Sequence, residues 1–453
     1  MYHGSGLGPT FARLDRSIRL SRSPPLDRSP DERTISSFAA SIMIRKRPIF
    51  ALAALASVIL LAGCDVFSPQ PPEATWTKVE LDERVTDAYT DFGFSLFRQL
   101  RADDPDGNVF ISPSSAAFAL AMTYNGAVGQ TAEEMARALG VDHLDRVVVN
   151  ETNRRWLEAL RDTGDPEVEL ALANSIWTRV GFPFLESFRE VNRSYYDAEV
   201  RELDFSAPTA PDIINGWVRD NTKGLIDEII EGGIPGDVVA YLINALYFKG
   251  DWTSQFDPDD TRDHPFRRPD GSEVTVPMMW QEGDFATRHD EDAVLLRLPY
   301  GSGRFSMVLA LPHHGSSLEQ LAERLDAERW SRWMAGLESP SQIHVGLPRF
   351  EMEWQSPLNE ALQAMGMEIP FAAGAADFSD MSPAGRDLFI GDVLQKTFLR
   401  VDEEGTEAAA VTSVEIRVVS APPAIVFDRP FLLAIYDHAT ETVLFLGQIT
   451  DPS

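Results

Sequence analysis

The sequence predicts an α+β fold, a single large domain over about residues 80–453 with helices packed on large mixed or antiparallel β-sheets. Three observations carry that prediction. Apolar residues at helical spacing gather in the first third of the span, and strand-like apolar runs fill the rest; such segregation along a chain is the mark of α+β architecture. No linker, repeat or low-complexity tract interrupts the span. The single cysteine, Cys64, excludes an intrachain disulfide framework and a thiolate zinc cluster. The fold must therefore stand on packing, which a chain of 453 residues permits.

Residues 1–42 are rich in Arg, Ser and Pro and lack apolar periodicity, so they are expected to be disordered or an untranslated extension. From Met43 the text changes: Arg45-Lys46-Arg47 precede an apolar run from Ile49 to Leu61. Basic residues followed by a run of that length form an export signal, short for a membrane span. The run closes on Leu61-Ala62-Gly63-Cys64, which resembles a bacterial lipobox. That resemblance implies removal of residues 43–63, a diacylglycerol on the Cys64 thiol, and anchorage to a membrane. The protein would then be exported and face the periplasm or the cell exterior. Residues 64–79, with Pro69, Pro71 and Pro72, read as the lipidated tether.

Within the domain, Val85, Tyr89, Phe92, Leu96 and Leu100 recur every three or four residues and predict an amphipathic helix. Thr131 with Glu134, before Met135 and Leu139, has the spacing of a capping box, as does Ser317 with Gln320 before Leu325. Ser356-Pro357 predicts a further helix start, closed by Gly366. Strands are predicted over 168–177, 238–248, 294–298, 305–311, 343–347, 398–401, 431–436 and 443–449.

Charge and motifs exclude several functions. From residue 64 onward 31 basic side chains face 66 acidic ones, a surface that repels nucleic acid and anionic headgroups. Only 5 of the 40 basic residues are Lys, a balance found in salt-adapted proteins and equally in products of GC-rich genomes. The sequence carries no Gly-x-Ser-x-Gly elbow, His-Glu-x-x-His pair, phosphate loop or dinucleotide fingerprint. His313-His314, between Pro312 and Gly315, reads as a turn rather than a metal pair. No cofactor or metal is expected, and the chain does not read as an enzyme.

One segment holds the functional signal. From Thr406, one alternate set is Thr406, Ala408, Ala410, Thr412, Val414, Ile416 and Val418; the other is Glu407, Ala409, Val411, Ser413, Glu415, Arg417 and Val419. The first set is small or apolar throughout, and the second carries every charge, so period two gives one face fit for a core. The preceding Asp402, Glu403, Glu404 and Gly405 are poor strand formers and suit a flexible start. The segment is therefore either a plain long strand or an element with two states, an exposed loop and an inserted strand.

This stretch resembles the reactive-centre hinge of inhibitory serpins in Glu404, Gly405, Thr406, Glu407, Ala408, Ala409 and Ala410. Further stretches resemble the same family in the same order. Asn108–Ser115 looks like its shutter, and Asn244–Gly250 with Trp252 and Phe256 like its breach. Val276–Met279, Leu347–Phe350, Arg429–Phe431 and Phe445–Gly447 match other signatures. The resemblance implies a reactive-centre loop over about 402–424 and a target serine protease as partner. The protease would be trapped as an acyl-enzyme when the cleaved loop inserts into the large sheet. The family's loop length implies a scissile bond at Val419–Ser420, suited to an elastase-like or subtilisin-like enzyme. Cleavage after Arg417 by a trypsin-like enzyme is the alternative, and a non-inhibitory serpin serving as a surface binding protein is another. Ser112, Ser115 and Asn244 match the polar shutter, with Gln395 where many members carry histidine, and Trp252 matches the breach. The protein is expected to act as a monomer.

Overall fold

The computed structural model describes residues 76–337, 340–406 and 423–453. The lipobox with Cys64, the hinge from Glu407 to Ala410 and the Val419–Ser420 bond lie outside the described residues.

Helices dominate the beginning of the domain. They are α1 (Glu83–Asp103), α2 (Pro113–Tyr124), α3 (Gly129–Ala138), α4 (Arg146–Arg161), α5 (Glu186–Tyr196) and α6 (Ala210–Asn221), with shorter α7 (Leu318–Glu323), α8 (Ala327–Gly336) and α9 (Asn359–Ala364) later. The strands are β1 (Val109–Ile111), β2 (Val168–Arg179), β3 (Glu199–Leu203), β4 (Ala240–Asp251), β5 (Arg262–Arg267), β6 (Glu273–His289), β7 (Ala293–Tyr300) and β8 (Phe305–Pro312). They continue with β9 (Pro340–Pro348), β10 (Phe350–Pro357), β11 (Leu394–Val401), β12 (Gly405–Thr406), β13 (Ala424–Val426), β14 (Phe431–Asp437) and β15 (Thr442–Ile449).

Two sheet systems matter for function. A nine-stranded sheet runs β1-β15-β14-β8-β7-β6-β9-β13, with β5 on β6. Its members β8, β14 and β15 are buried along their whole length, which is why they read as continuous apolar runs without alternation. The second system comprises the four-stranded β12-β4-β2-β3 and the antiparallel pair β10-β11. β4 and β2 are joined by eleven pairs from Val168↔Gly250 to Thr178↔Ala240, a ladder that runs the length of both strands.

The predicted α1 stripe is buried. α2 is apolar almost all round and lies against β4 and β15, as a helix with no solvent face must. The box of Ser317 and Gln320 caps α7 in both directions. Two local expectations are corrected. Thr131 and Glu134 do not cap α3, whose N-cap is Val128; both side chains bond outward instead, Thr131 Oγ1 accepting from Asp377 N (2.8 Å) and Glu134 Oε2 from Ile369 N (2.7 Å). Ser356-Pro357 ends strand β10 rather than starting a helix, because its partners Gln395 and Leu394 hold it in the β10–β11 ladder; α9 begins only at Asn359. Gly366 does follow that helix with a positive φ of 96°.

Candidate functional site

The site is an interval between two strand edges. At its upper end the chain leaves β11, turns through Asp402–Glu404 and returns as β12, which is antiparallel to β4 through Gly405↔Asp251 and Thr406↔Gly250. Among the described residues β4 and β11 are not paired with each other; β12 stands between their tops. Where β12 lies, the interval holds one strand. Below β12 a cavity of about 340 Å³ reaches from β4 to β11, with Ala116 and Leu120 of α2 on one side and Val218 of α6 on the other.

The turn into β12 is pinned. Trp252 donates from its backbone N to Glu404 O (2.8 Å) and from Nε1 to Asp402 O (2.9 Å), while its ring stacks on Tyr300 at 4.5 Å. Phe256 N donates to Glu403 O (2.8 Å). The Glu403 carboxylate accepts from Thr261 Oγ1 (2.7 Å) and Arg349 Nη1 (3.4 Å), and Asp402 from Arg400 Nε (3.1 Å). Gly405 is required here. A Cβ would meet Gly250 O at 2.3 Å and Asp251 Cα at 2.6 Å, and its φ of +155° lies outside the usual range for side-chain-bearing residues. The Glu404 carboxyl is raised by burial and by Asp402, Asp251 and Glu403, and one of its oxygens has no hydrogen-bond partner.

The expectation of a flexible, exposed start is thus corrected. Asp402 and Glu403 are only 6% exposed, and the Thr406 backbone is already in the ladder. The Glu403 carboxylate is tolerated inside because a hydroxyl and a guanidinium reach it from distant segments, and that of Asp402 because Arg400 and the backbone N–H groups of Glu404 and Gly405 donate to it.

Midway down the interval lies a polar layer. Gln395 and the Ser112 backbone exchange two bonds, Ser112 N to Oε1 (3.1 Å) and Nε2 to Ser112 O (2.9 Å). Ser112 Oγ donates to Leu444 O (2.8 Å) and caps α2 by accepting from Ser115 N (3.3 Å). Ser115 Oγ reaches the Asn244 carbonyl at 3.5 Å, and Asn244 Nδ2 donates to Asn174 Oδ1 (2.7 Å). The four predicted shutter residues are therefore brought together. The glutamine takes the histidine's place as donor and acceptor without contributing a titrating group. Sequence reasoning missed Asn174, Thr397, whose Oγ1 donates to Phe110 O (2.5 Å), and Tyr300. Asn174 had one available signal, the polar pair Asn174-Ser175 within the apolar run 170–177, and Thr397, directly after Gln395-Lys396, had none.

The family described as Serpin (serine protease inhibitor) matches residues 87–452. The chain belongs to the serpin family. A leukocyte elastase inhibitor from Xenopus tropicalis is 35% identical over 381 residues, covering 82% of this chain and all of that protein. The native-state structure of the thermophilic serpin tengpin superposes with a TM-score of 0.74 at 31% identity, covering 83% of this chain and 96% of that one. Human thyroxine-binding globulin, solved in complex with thyroxine, gives a TM-score of 0.74 at 28% identity over 82% of this chain and 98% of that one. The serpin fold of this chain, helices with a large mixed sheet in one domain, agrees with both structures. Protease inhibition is the general property of its family description. The family also contains thyroxine-binding globulin, so family alone does not decide inhibition.

Proposed function

We propose that this serpin is a suicide-type inhibitor that traps a serine protease after cleavage at Val419–Ser420. One observation carries the reading: β12 pairs with β4 in antiparallel register at the top of the interval beside β11, and a cavity of about 340 Å³ lies lower between the same two strands. The protease forms an ester with the Val419 carbonyl carbon through its serine oxygen, and the peptide bond to Ser420 breaks to free the Ser420 amine. The freed strand then extends from Thr406 down the interval before water hydrolyses the ester. Its 14 residues, at roughly 3.3 Å each, carry the protease on the order of 50 Å. The small-or-apolar set from Thr406 to Val418 meets the core face, as burial requires. The β-branched Val419 fits a medium apolar specificity pocket, which supports an elastase-like or subtilisin-like target. The name of the Xenopus relative supports the same class.

Incubation with such a protease is expected to give an SDS-stable complex and, on denaturation, a C-terminal peptide beginning at Ser420. A peptide beginning at Val418 would instead establish Arg417 as the reactive residue and a trypsin-like target. Cleavage without any complex would support the non-inhibitory reading. For location, we propose a lipid anchor at Cys64; Cys64→Ser is expected to abolish lipid labelling, and retained label would refute the anchor.

A further inference from the structure

The residues that lead into α1 are held to the domain by few contacts. Val79 N donates to Ala439 O (2.7 Å) in the turn between β14 and β15. Lys78 Nζ pairs with Glu441 Oε2 (2.7 Å), and both side chains are more than half exposed. Glu441 has a φ of 56°, in the left-handed region that side-chain-bearing residues seldom adopt. The Trp76 ring lies against that of His438, with centroids 6.2 Å apart. It also covers the turn between β7 and β8, where a Cβ on Gly303 would stand 3.7 Å from it. No residue from Trp76 to Val79 belongs to a helix or strand, and α1 starts only at Glu83, capped by Asp82. The segment is a strap across two turns. One backbone bond and one exposed ion pair are weak holds, so it can leave without unwinding an element.

The strap lies on a titratable group. His438 Nε2 shares a hydrogen bond with the buried Ser306 Oγ (2.7 Å), and its backbone N donates to Arg304 O (2.8 Å). The Tyr436 ring meets the imidazole edge-on at 4.9 Å. The charges around it are engaged with one another, Arg304 with Asp437 (3.0 Å) and Lys78 with Glu441. Arg297 of β7 opposes a further positive charge on the ring, and Asp87 of α1 acts on the neighbouring Tyr436. Burial, and then Arg297, hold the imidazole down at about 3 from its ordinary 6.5. A charged imidazolium requires solvation that a stacked indole does not supply.

We propose that Trp76–Val79 is an acid-released strap, docked at neutral pH by Trp76 on His438 and by Lys78 on Glu441, and freed when His438 takes up a proton. The linkage has one sign. The docked state keeps the ring neutral and the released state lets it titrate near 6.5, so release binds one proton. Docking is therefore at full strength above that value and weakens about tenfold for each pH unit below it. Release adds Trp76–Asp82 to the chain that leads into the domain, a reach of roughly 24 Å, and leaves the sheets untouched. A histidine that unlatches a contact in mild acid is a known kind of switch, and here it acts on the entry to the domain rather than on the reactive loop.

The test follows hydrogen-exchange protection of the Val79 amide in the full chain at pH 7.5, 6 and 5, corrected for the intrinsic pH dependence of exchange. Wild-type protection is expected to fall about tenfold between pH 6 and pH 5, while that of α1 holds. His438→Gln, which can still bond Ser306, should show no such fall. Lys78→Ala should lower protection at every pH and keep the slope. Trp76→Ala should strip Val79 of protection at pH 7.5 and move the His438 titration, read by NMR, up toward 6.5. Protection independent of pH in the wild type, or the same fall in His438→Gln, overturns the proposal. A fall shared by the α1 amides is general acid unfolding and overturns it too. Should His438→Gln fail to fold, Trp76→Ala decides: a His438 titration unmoved in that variant means the body of the domain, not the strap, buries the ring, and the proposal fails.

Discussion

The two roots of the proposed reactive loop are built in opposite ways. The N-terminal root, Asp402–Thr406, is internal: its carboxylates are buried, Trp252 and Phe256 hold its carbonyls, and its last two residues are laddered to β4. The C-terminal root is peripheral. β13 is a three-residue strand at the edge of its sheet, parallel to β9. Backbone bonds flank it, His344 N to Pro423 O (3.0 Å), Phe427 N to Gly346 O (2.8 Å) and Arg267 N to Asp428 O (2.8 Å). The difference teaches how one loop can have two fates. Extending the internal root needs only continuation of a ladder whose nucleating pairs exist, whereas the peripheral root need not move at all. On the proposed mechanism the C-terminal fragment would stay with the fold after cleavage, held by the buried strands β14 and β15.

Breaking the internal root should matter most. Thr406→Arg puts a long charged side chain on the face that enters the core, and unpaired burial costs several kcal/mol. Each 1.4 kcal/mol added to the insertion barrier slows it about tenfold. The variant is expected to be cleaved at the same bond at a similar rate with no trapped protease on SDS gels. Glu407→Arg, in the outward-facing set, should inhibit nearly as well as wild type.

Trp252→Ala removes the stacked ring and the bond to Asp402 O, a cost of about 3–5 kcal/mol in denaturant unfolding. The comparison sharpens if Phe427→Ala at the other root, also fully buried, costs a similar stability while leaving covalent complexes intact. Equal damage to trapping by both would erase the distinction between the roots. Gly405→Ala should cost about 2 kcal/mol, since its Cβ meets backbone rather than a movable side chain.

The smallest effect concerns pH. The Glu404 carboxyl is raised from its ordinary value of 4.5 by burial and acidic neighbours. A raised carboxyl stabilises the folded state below its unfolded value, and that contribution is lost as pH rises through the folded one. Glu404→Gln should therefore raise the melting temperature of the intact protein at pH 7–8 and change it little near pH 4. A variant less stable at pH 8 than wild type would contradict the assigned repulsion.

Much of this was legible in the sequence because each signal was local. Continuous apolar runs gave β8, β14 and β15, and Trp252, Gly405 and the alternation after Thr406 sit within short motifs. What escaped depended on long-range partners. Asp402 and Glu403 read as a flexible start because Thr261 and Arg349, which hold the Glu403 carboxylate, and Trp252, which holds the Asp402 carbonyl, lie far away in the chain. Thr131 had the spacing of a cap, but the backbone of Asp377 took its hydroxyl. Ser356-Pro357 had the chemistry of a helix start, but pairing with β11 held it extended. Helix α6, with Ile214, Trp217 and Val218 buried beside Trp177 and Ile243, was also not foreseen.

The central claim is that the interval between β4 and β11 receives the cleaved loop. Amide hydrogen exchange on the intact and loop-cleaved protein tests it most directly. The account predicts that edge amides of β4 below Gly250 and of β11 from Leu394 to Arg400 exchange readily before cleavage. They should become protected afterwards, together with residues 407–418, while β13 stays unchanged. Identical exchange in β4 and β11 before and after cleavage would contradict it.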